Sequence, residues 1–264
     1  MKDNFEEYLN FAKGVALKAG GIMLKYFNAG GGISKYKGDK TIVTLADTEI
    51  NSFLIESVKK KYPKHSVDGE EEKFGKSDHV WVCDPVDGTA QFARGVPVAV
   101  FSLALVINGV STIGVVYDPF TRNLYYAIKG HGAYKNSDKE KLQVSSILLD
   151  DMKSVSNYDM WPEAEYNLSK TIFALGKKTY FVSIGSVIRA CMAVADGQYN
   201  LALFPGTTHK NCDIAAVKVI VEEAGGIVRN LFGKEQRYDR DIKGAIVSNR
   251  VVYKEVLKCL KENL

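Results

Sequence analysis

Trp81-Val-Cys-Asp84-Pro-Val-Asp87-Gly-Thr89 sets two carboxylates three residues apart across a proline, then a glycine and a hydroxyl. An apolar run enters the segment, which places the acids where a buried strand ends. Carboxylates crowded there repel one another and are costly to desolvate unless a cation neutralises them. All-oxygen ligation suits a hard cation, Mg²⁺ or Mn²⁺, far better than zinc. The Val86 backbone carbonyl, between the acids, is a candidate further ligand. Asp, Pro and Gly also favour ordinary turns. A plain turn, however, requires neither the Trp81-Val82-Cys83 entry nor a threonine directly after Gly88.

Gly88 and Thr89 offer backbone amides that form an anion site suited to phosphate if a short helix starts there. Thr89 is also placed to orient a water. Metal carboxylates beside an anion hole imply phosphate-ester chemistry. Gly69-Glu70-Glu71-Glu72 is by itself a solvated charge run, but the β-like Ser66-Val67 precedes it. If that strand neighbours the one leading to Asp84, Glu70 and Asp84 emerge at the same sheet edge, where ligands gather in open sheets. Thr44-Leu-Ala-Asp47 reads first as a helix cap, with Asp47 also within reach of Thr89. Asp213 opens a later helix, as a first-turn acid or as a further metal ligand. His209 receives no role. Lys35 and Lys37 form a basic loop, solvated or poised over a phosphate.

Helices are expected at Phe5–Asn28, Ala46–Lys61, Val187–Ala195, Asp213–Ala224 and Tyr253–Leu260. The second is expected to bury Ile50, Phe53, Leu54 and Val58. Strands are expected at His79–Cys83, Val98–Ile107, Thr112–Tyr117, Asn123–Ile128, Thr179–Ile184, Gln198–Phe204 and Ala245–Ser248. Asn108-Gly109 and Asp118-Pro119 suit turns between antiparallel neighbours, and Lys135–Lys141 is a polar stretch. The result is a mixed α/β layered protein, residues 1–264 as a single domain with a possible soft division near residues 136–178.

A chain of 264 residues, 46% hydrophobic, can bury a sizeable core. A net charge of +4 without a long basic run gives no sign of nucleic-acid or membrane-surface binding. Cys83, Cys191, Cys212 and Cys259 are scattered, which suits reduced thiols in a cytoplasmic protein. The longest apolar stretch, Val96 to Ile107, is too short for a spanning helix.

Asp84-Pro-Val-Asp87-Gly-Thr89-Ala-Gln-Phe92 resembles the Asp-Pro-Ile/Leu-Asp-Gly-Thr-x-Asn-Phe signature of inositol monophosphatase-like enzymes. Cys212-Asp213-Ile-Ala-Ala-Val, followed by Glu223-Ala-Gly-Gly226, is similar to that family's C-terminal signature. Gly69-Glu70-Glu71 and Val43-Thr-Leu-Ala-Asp47 fall in the expected order. The resemblance implies an α-β-α-β-α sandwich, a homodimer, and Mg²⁺-dependent, lithium-sensitive hydrolysis of small phosphomonoesters by two to three ions, with Mn²⁺ a substitute. It assigns Glu70, Asp84 and the Val86 carbonyl to one metal, and Asp84, Asp87 and Asp213 to a second. Glu70 contributes to a third. Thr89 with Asp47 activates water, and the Gly88 and Thr89 amides bind phosphate. Two departures leave the ligands intact: Cys212 replaces a common tryptophan and Gln91 the usual asparagine. A third concerns substrate, because Gly206 stands where the animal enzymes have an inositol-contacting acid.

The expected substrate is therefore inositol monophosphate or a related sugar phosphate. Fructose 1,6-bisphosphate, 3′-phosphoadenosine 5′-phosphate and histidinol phosphate are alternatives within the family. Two readings of other kinds are a catalytically silent metal- or phosphate-binding regulatory module and a structural Ca²⁺ staple.

Overall fold

The N-terminal periodicity folds as α1 (Phe5–Asn28), capped by Asn4, whose side chain accepts the Glu7 N–H at 3.3 Å. The computed structural model describes residues 4–30, 35–36, 42–149, 153–160, 164–206 and 211–264. A short antiparallel ribbon, β1 (Lys35–Tyr36) with β2 (Ile42–Val43), leads into α2 (Leu45–Lys61). Ile50, Leu54 and Val58 of α2 are buried as its pattern requires, whereas Phe53 is only half-buried. There follow β3 (Ser66–Gly69), β4 (Lys73–Phe74), β5 (His79–Asp87), the one-turn α3 (Thr89–Phe92), β6 (Val100–Ile107), β7 (Val110–Asp118), β8 (Asn123–Ile128), β9 (Ala133–Lys135) and β10 (Ser137–Lys141). The rest of the chain forms β11 (Val155–Tyr158), α4 (Ser169–Leu175), β12 (Tyr180–Val182), α5 (Val187–Ala195), β13 (Leu201–Phe204), α6 (Cys212–Glu223), β14 (Ile227–Arg229), β15 (Ala245–Ser248) and α7 (Tyr253–Asn263).

Two sheets result. The first has eight strands in the order β10-β9-β8-β7-β6-β5-β3-β4, and the second has five, β12-β11-β13-β15-β14. Alternation along the strands decides which layer each face meets. On β6, Phe101, Leu103 and Leu105 pack with α1 and α2, while Val100, Ala104 and Val106 pack with α5 and α6. In the second sheet Ala202, Phe204, Ala245 and Val247 face α5 and α6 from the other side. Leu201, Leu203 and Ile246 face outward onto α4 and α7. The layers run α, β, α, β, α, as the resemblance implies.

Several boundaries differ from expectation, each for a local reason. The polar stretch Lys135–Lys141 folds as part of an edge hairpin: all five residues of β10 are exposed, so no hydrophobic face marks it. β13 begins at Leu201, because the Gln198 and Tyr199 amides are still tied to the Ala193 carbonyl at the end of α5. β5 does not stop at Cys83 but runs to Asp87. Its pairing with β6 shifts between Asp84↔Ser102 and Asp87↔Val100, so three steps on β5 match two on its partner. The extra residue is a bulge at Pro85-Val86, the one kind of place an interior strand tolerates a proline. In a regular strand residues three apart face opposite sides. The bulge cancels that parity and lets Asp84 and Asp87 serve one site.

Candidate active site

β3 and β5 run parallel with Gly69 opposite Cys83, and the Glu70 N–H donates to the Cys83 carbonyl at 3.1 Å. Glu70 and Asp84 therefore leave adjacent strands at the same sheet edge. The loop carrying Glu70 is held from α2 by Asn51. Its Oδ1 accepts the N–H groups of Glu71 and Glu72 at 3.3 and 3.4 Å, and its Nδ2 donates to the Glu72 carbonyl at 3.1 Å. Sequence reasoning gave Asn51 no role, although it lies one turn after Asp47 on the buried face of α2.

Asp213 enters from the first turn of α6. The start of that helix is anchored by Asn211, which donates to Asp68 at 3.0 Å and to the Tyr238 carbonyl at 2.8 Å. Asp84, Asp87 and Asp213, all buried, bring carboxylate oxygens within 4.8 Å of one another. A second triad, Glu70, Asp84 and Cys212, meets the same spacing and shares Asp84.

Asp87 is fixed by α5: its Oδ2 accepts the Ser186 hydroxyl and, at 2.8 Å, the Ile188 N–H. The turn before α5 is in turn fixed by buried Asp159. That carboxylate accepts the Ser183 hydroxyl at 2.6 Å, the Gly185 N–H at 2.9 Å and the Asn157 amide at 3.0 Å. Ser186 and Asp159 were also silent in the sequence, since Ser186 lies 99 positions from Asp87 and Asp159 acts only through the turn that carries Ser186. Burial, then the neighbouring Asp213 charge, pushes the Asp87 carboxyl up to about 7 against the lowering effect of these hydrogen bonds.

Asp47 serves both purposes the sequence allowed. Oδ2 accepts the Thr44 N–H at 2.8 Å and the Thr44 hydroxyl at 2.5 Å, closing the helix start. Oδ1 lies 3.5 Å from the Thr89 hydroxyl. Burial is the main cause of a carboxyl pushed up to about 7; the bonds from Thr44 oppose it and the Glu70 and Glu71 charges add to it. Thr89 also donates to the Val86 carbonyl at 2.7 Å, which occupies one lone pair of that oxygen and leaves the other.

Gly88 has φ of +87°, and a Cβ there would come within 3.0 Å of the Gly185 carbonyl. Only glycine fits the turn that starts α3 against the α5 loop. The first amides of α3 are not used by the helix's own hydrogen bonds. Gln91 packs against Gly185. Glu223, in the second signature, accepts the Gly130 and Gly132 N–H groups, both at 2.7 Å, so its role is to pin that turn. Lys37 and His209 lie outside the described residues, and Lys35 is described only as backbone in β1.

Gly206 is more constrained than a simple replacement. It is buried at φ +80°, and a Cβ would sit 2.8 Å from the Gly244 nitrogen. No side chain fits there, acidic or otherwise, without moving backbone.

Three close carboxylates fit hard divalent cations by donor type, and the unfavourable ionisation of Asp87 without a cation is what such a set would show. The model of the inositol monophosphatase family matches residues 4–264. The chain belongs to the inositol monophosphatase family. It is 31% identical to the fructose-1,6-bisphosphatase/inositol-1-monophosphatase of Thermotoga maritima, over 96% of each chain. It is 29% identical to inositol monophosphatase 1 of Sus scrofa, over 88% of this chain and 87% of that one. The solved IMPase structure from Thermotoga maritima superposes with a TM-score of 0.85 at 30% identity, covering 97% of both chains. Family members are metal-dependent phosphatases of small phosphorylated substrates, so this chain is a phosphoric monoester hydrolase with acidic clusters able to hold metal. Among the described residues no helix is long and apolar enough to cross a membrane.

Proposed function

We propose that this inositol monophosphatase-family enzyme is a Mg²⁺-dependent phosphomonoesterase acting on inositol monophosphate or a related small sugar phosphate. The observation that carries the reading is the convergence of Asp84, Asp87 and Asp213 within 4.8 Å, with Glu70 directly after the adjacent strand. Asp84, Asp87 and Asp213 would hold one ion, and Glu70, Asp84 and the Val86 carbonyl another, with Glu70 reaching a third. Mn²⁺ is the natural substitute by donor type. What such ions supply is acidified water and neutralised charge on the phosphoryl and leaving oxygens.

The protein's own contribution follows from the contacts. Asp47 Oδ1 stands beside Thr89 Oγ1, so once the Thr89 hydroxyl turns from the Val86 carbonyl to Asp47 the pair can accept a proton from the attacking water, Thr89 passing its own to Asp47. That separation is long for a hydrogen bond and is expected to shorten when substrate closes the site. The amides of Gly88 and Thr89 hold the phosphate in line for attack. Asn51, Ser186 and Asp159 keep the acids aimed, and no side-chain nucleophile is required.

The one-sided constraint at Gly206 argues for a broader sugar-phosphate preference than inositol alone, and fructose 1,6-bisphosphate is the second candidate, after the name of the Thermotoga maritima relative. Lithium sensitivity and a homodimer are further parts of this reading. So is a single catalytic domain spanning the chain, supported by a core that joins α5 and α6 to both sheets. The four free cysteines suit the cytoplasm.

Phosphate release from inositol 1-phosphate, fructose 1,6-bisphosphate, 3′-phosphoadenosine 5′-phosphate and histidinol phosphate, with Mg²⁺ or Mn²⁺, tests the proposal. Turnover of the first two ahead of the others is expected. No release from any of them rules it out.

A further inference from the structure

We propose that Cys212 gives one cation position a sulfur donor, so that the site takes thiophilic divalent ions such as Zn²⁺, Cd²⁺ and Co²⁺ as a mixed sulfur–oxygen site. The inference rests on the metal reading above and adds to it a ligand that the reading does not include. Cys212 is the first residue of α6, directly before Asp213, and its side chain is buried. Its Sγ lies within 4.8 Å of ligand oxygens on both Glu70 and Asp84, and 3.8 Å from Asp213 Oδ1. Three elements thus contribute to this second triad: the loop after β3, the bulge of β5 and the start of α6. Cys212 and Glu70 also line one cavity of about 370 Å³, shared with Asp68, Gly69, Lys73 and Asn211. The sulfur and the Glu70 carboxylate thus face a common open space.

Donor chemistry decides what enters. Zinc–sulfur and zinc–oxygen bonds of about 2.3 and about 2.1 Å place sulfur and oxygen ligands of a tetrahedral ion roughly 3.6 Å apart. Ligand atoms that start within 4.8 Å of one another draw in to that spacing when they close on an ion. A thiolate strongly favours Co²⁺, Zn²⁺ and Cd²⁺ and adds little for Mg²⁺. Coordination forms one sulfur–metal bond, breaks the S–H bond and releases its proton to solvent. Asp84 belongs to both triads, so a soft ion at this position takes a carboxylate away from the neighbouring all-oxygen position. Zn²⁺ and Cd²⁺ are therefore competitors of Mg²⁺ in this chain.

Cobalt reports both halves of the argument separately. The metal-free full-length protein is titrated with Co²⁺ under reducing conditions. Visible d–d bands report that the ion has entered a protein site, and a near-ultraviolet sulfur-to-cobalt charge-transfer band reports the thiolate. Wild type is expected to show both, and Cys212→Ser to keep the d–d bands and lose the charge-transfer band. Equilibrium dialysis is expected to find Cd²⁺ affinity at least ~10-fold weaker in Cys212→Ser, with Mg²⁺ affinity within about threefold of wild type. Charge transfer absent from wild type with the d–d bands present overturns the proposal and leaves the metal reading intact. The same holds if the band persists in Cys212→Ser, since another cysteine is then the donor. Absence of both bands, with no Mg²⁺ bound in dialysis, defeats the metal reading itself. Cys212→Trp serves as the second variant and is expected to lose the charge-transfer band as well.

Discussion

Asp87 divides its carboxylate between two tasks: Oδ2 is committed to Ser186 and Ile188 of α5, while the group as a whole belongs to the triad with Asp84 and Asp213. Asp84→Asn and Asp213→Asn should each lower Mg²⁺-dependent phosphate release at least a hundredfold. Because they remove like-charge repulsion, neither should lower the melting temperature of the metal-free protein, which thermal unfolding in EDTA would check. Asn51→Ala belongs to a different class. It removes three hydrogen bonds that hold the Glu70 loop, so the Mg²⁺ concentration for half-maximal rate should rise roughly 10- to 100-fold. A rate restored at saturating Mg²⁺ would identify positioning; a loss that Mg²⁺ cannot restore would count against it.

At the scale of elements, what was legible depended on whether burial came with hydrophobicity. β6, β7 and β8 read clearly because β-branched and aromatic residues fill both faces. β11 was missed because its interior is polar: Ser156 is within hydrogen-bonding distance of Thr179, and Asn157 donates to Asp159, all buried. Such strands are stabilised by partners that only the assembled sheet supplies. α4 was missed because seven residues give too few turns for a periodicity. The acids themselves were legible as a list, since their residue types stand out against apolar surroundings. The means of assembly was not: the bulge at Pro85-Val86 shows only in the pairing with β6. Gly206 belongs to this scale too. Gly206→Ala should destabilise the protein by about 1–3 kcal/mol through its left-handed backbone and the close Gly244 nitrogen, measured by urea unfolding. Gly206→Glu should do at least as badly and gain no inositol 1-phosphate specificity.

For the whole molecule, the buried carboxyls make stability depend on pH and on metal together. Asp47 and Asp87 hold their protons up to about 7 in the folded protein, well above an unfolded carboxyl. Each therefore contributes stability that is full below the ordinary carboxylate range and is lost as pH rises through about 7. The metal-free protein should lose melting temperature between about pH 4 and about pH 7.5, and Asp87→Asn should reduce that slope. Added Mg²⁺ should raise the melting temperature more at the upper end, because ligation competes with protons. A slope unchanged by Asp87→Asn would contradict the assignment. Scale also bears on self-association. β10 presents five exposed residues, four of them charged, at one margin of the larger sheet. That edge resists pairing with another chain.

The bulged strand that carries Asp84 and Asp87 belongs to one sheet, whereas Asp213 rides on a helix of the middle layer that the other sheet also covers. A cation gripping all three would act as a clasp across the layers, added to their packing and to the bonds that Asp87 and Asn211 already make between them. Its removal should then be felt beyond the catalytic pocket, as faster amide hydrogen exchange along the opening turns of α5 and α6 while α1 and α7 exchange as before.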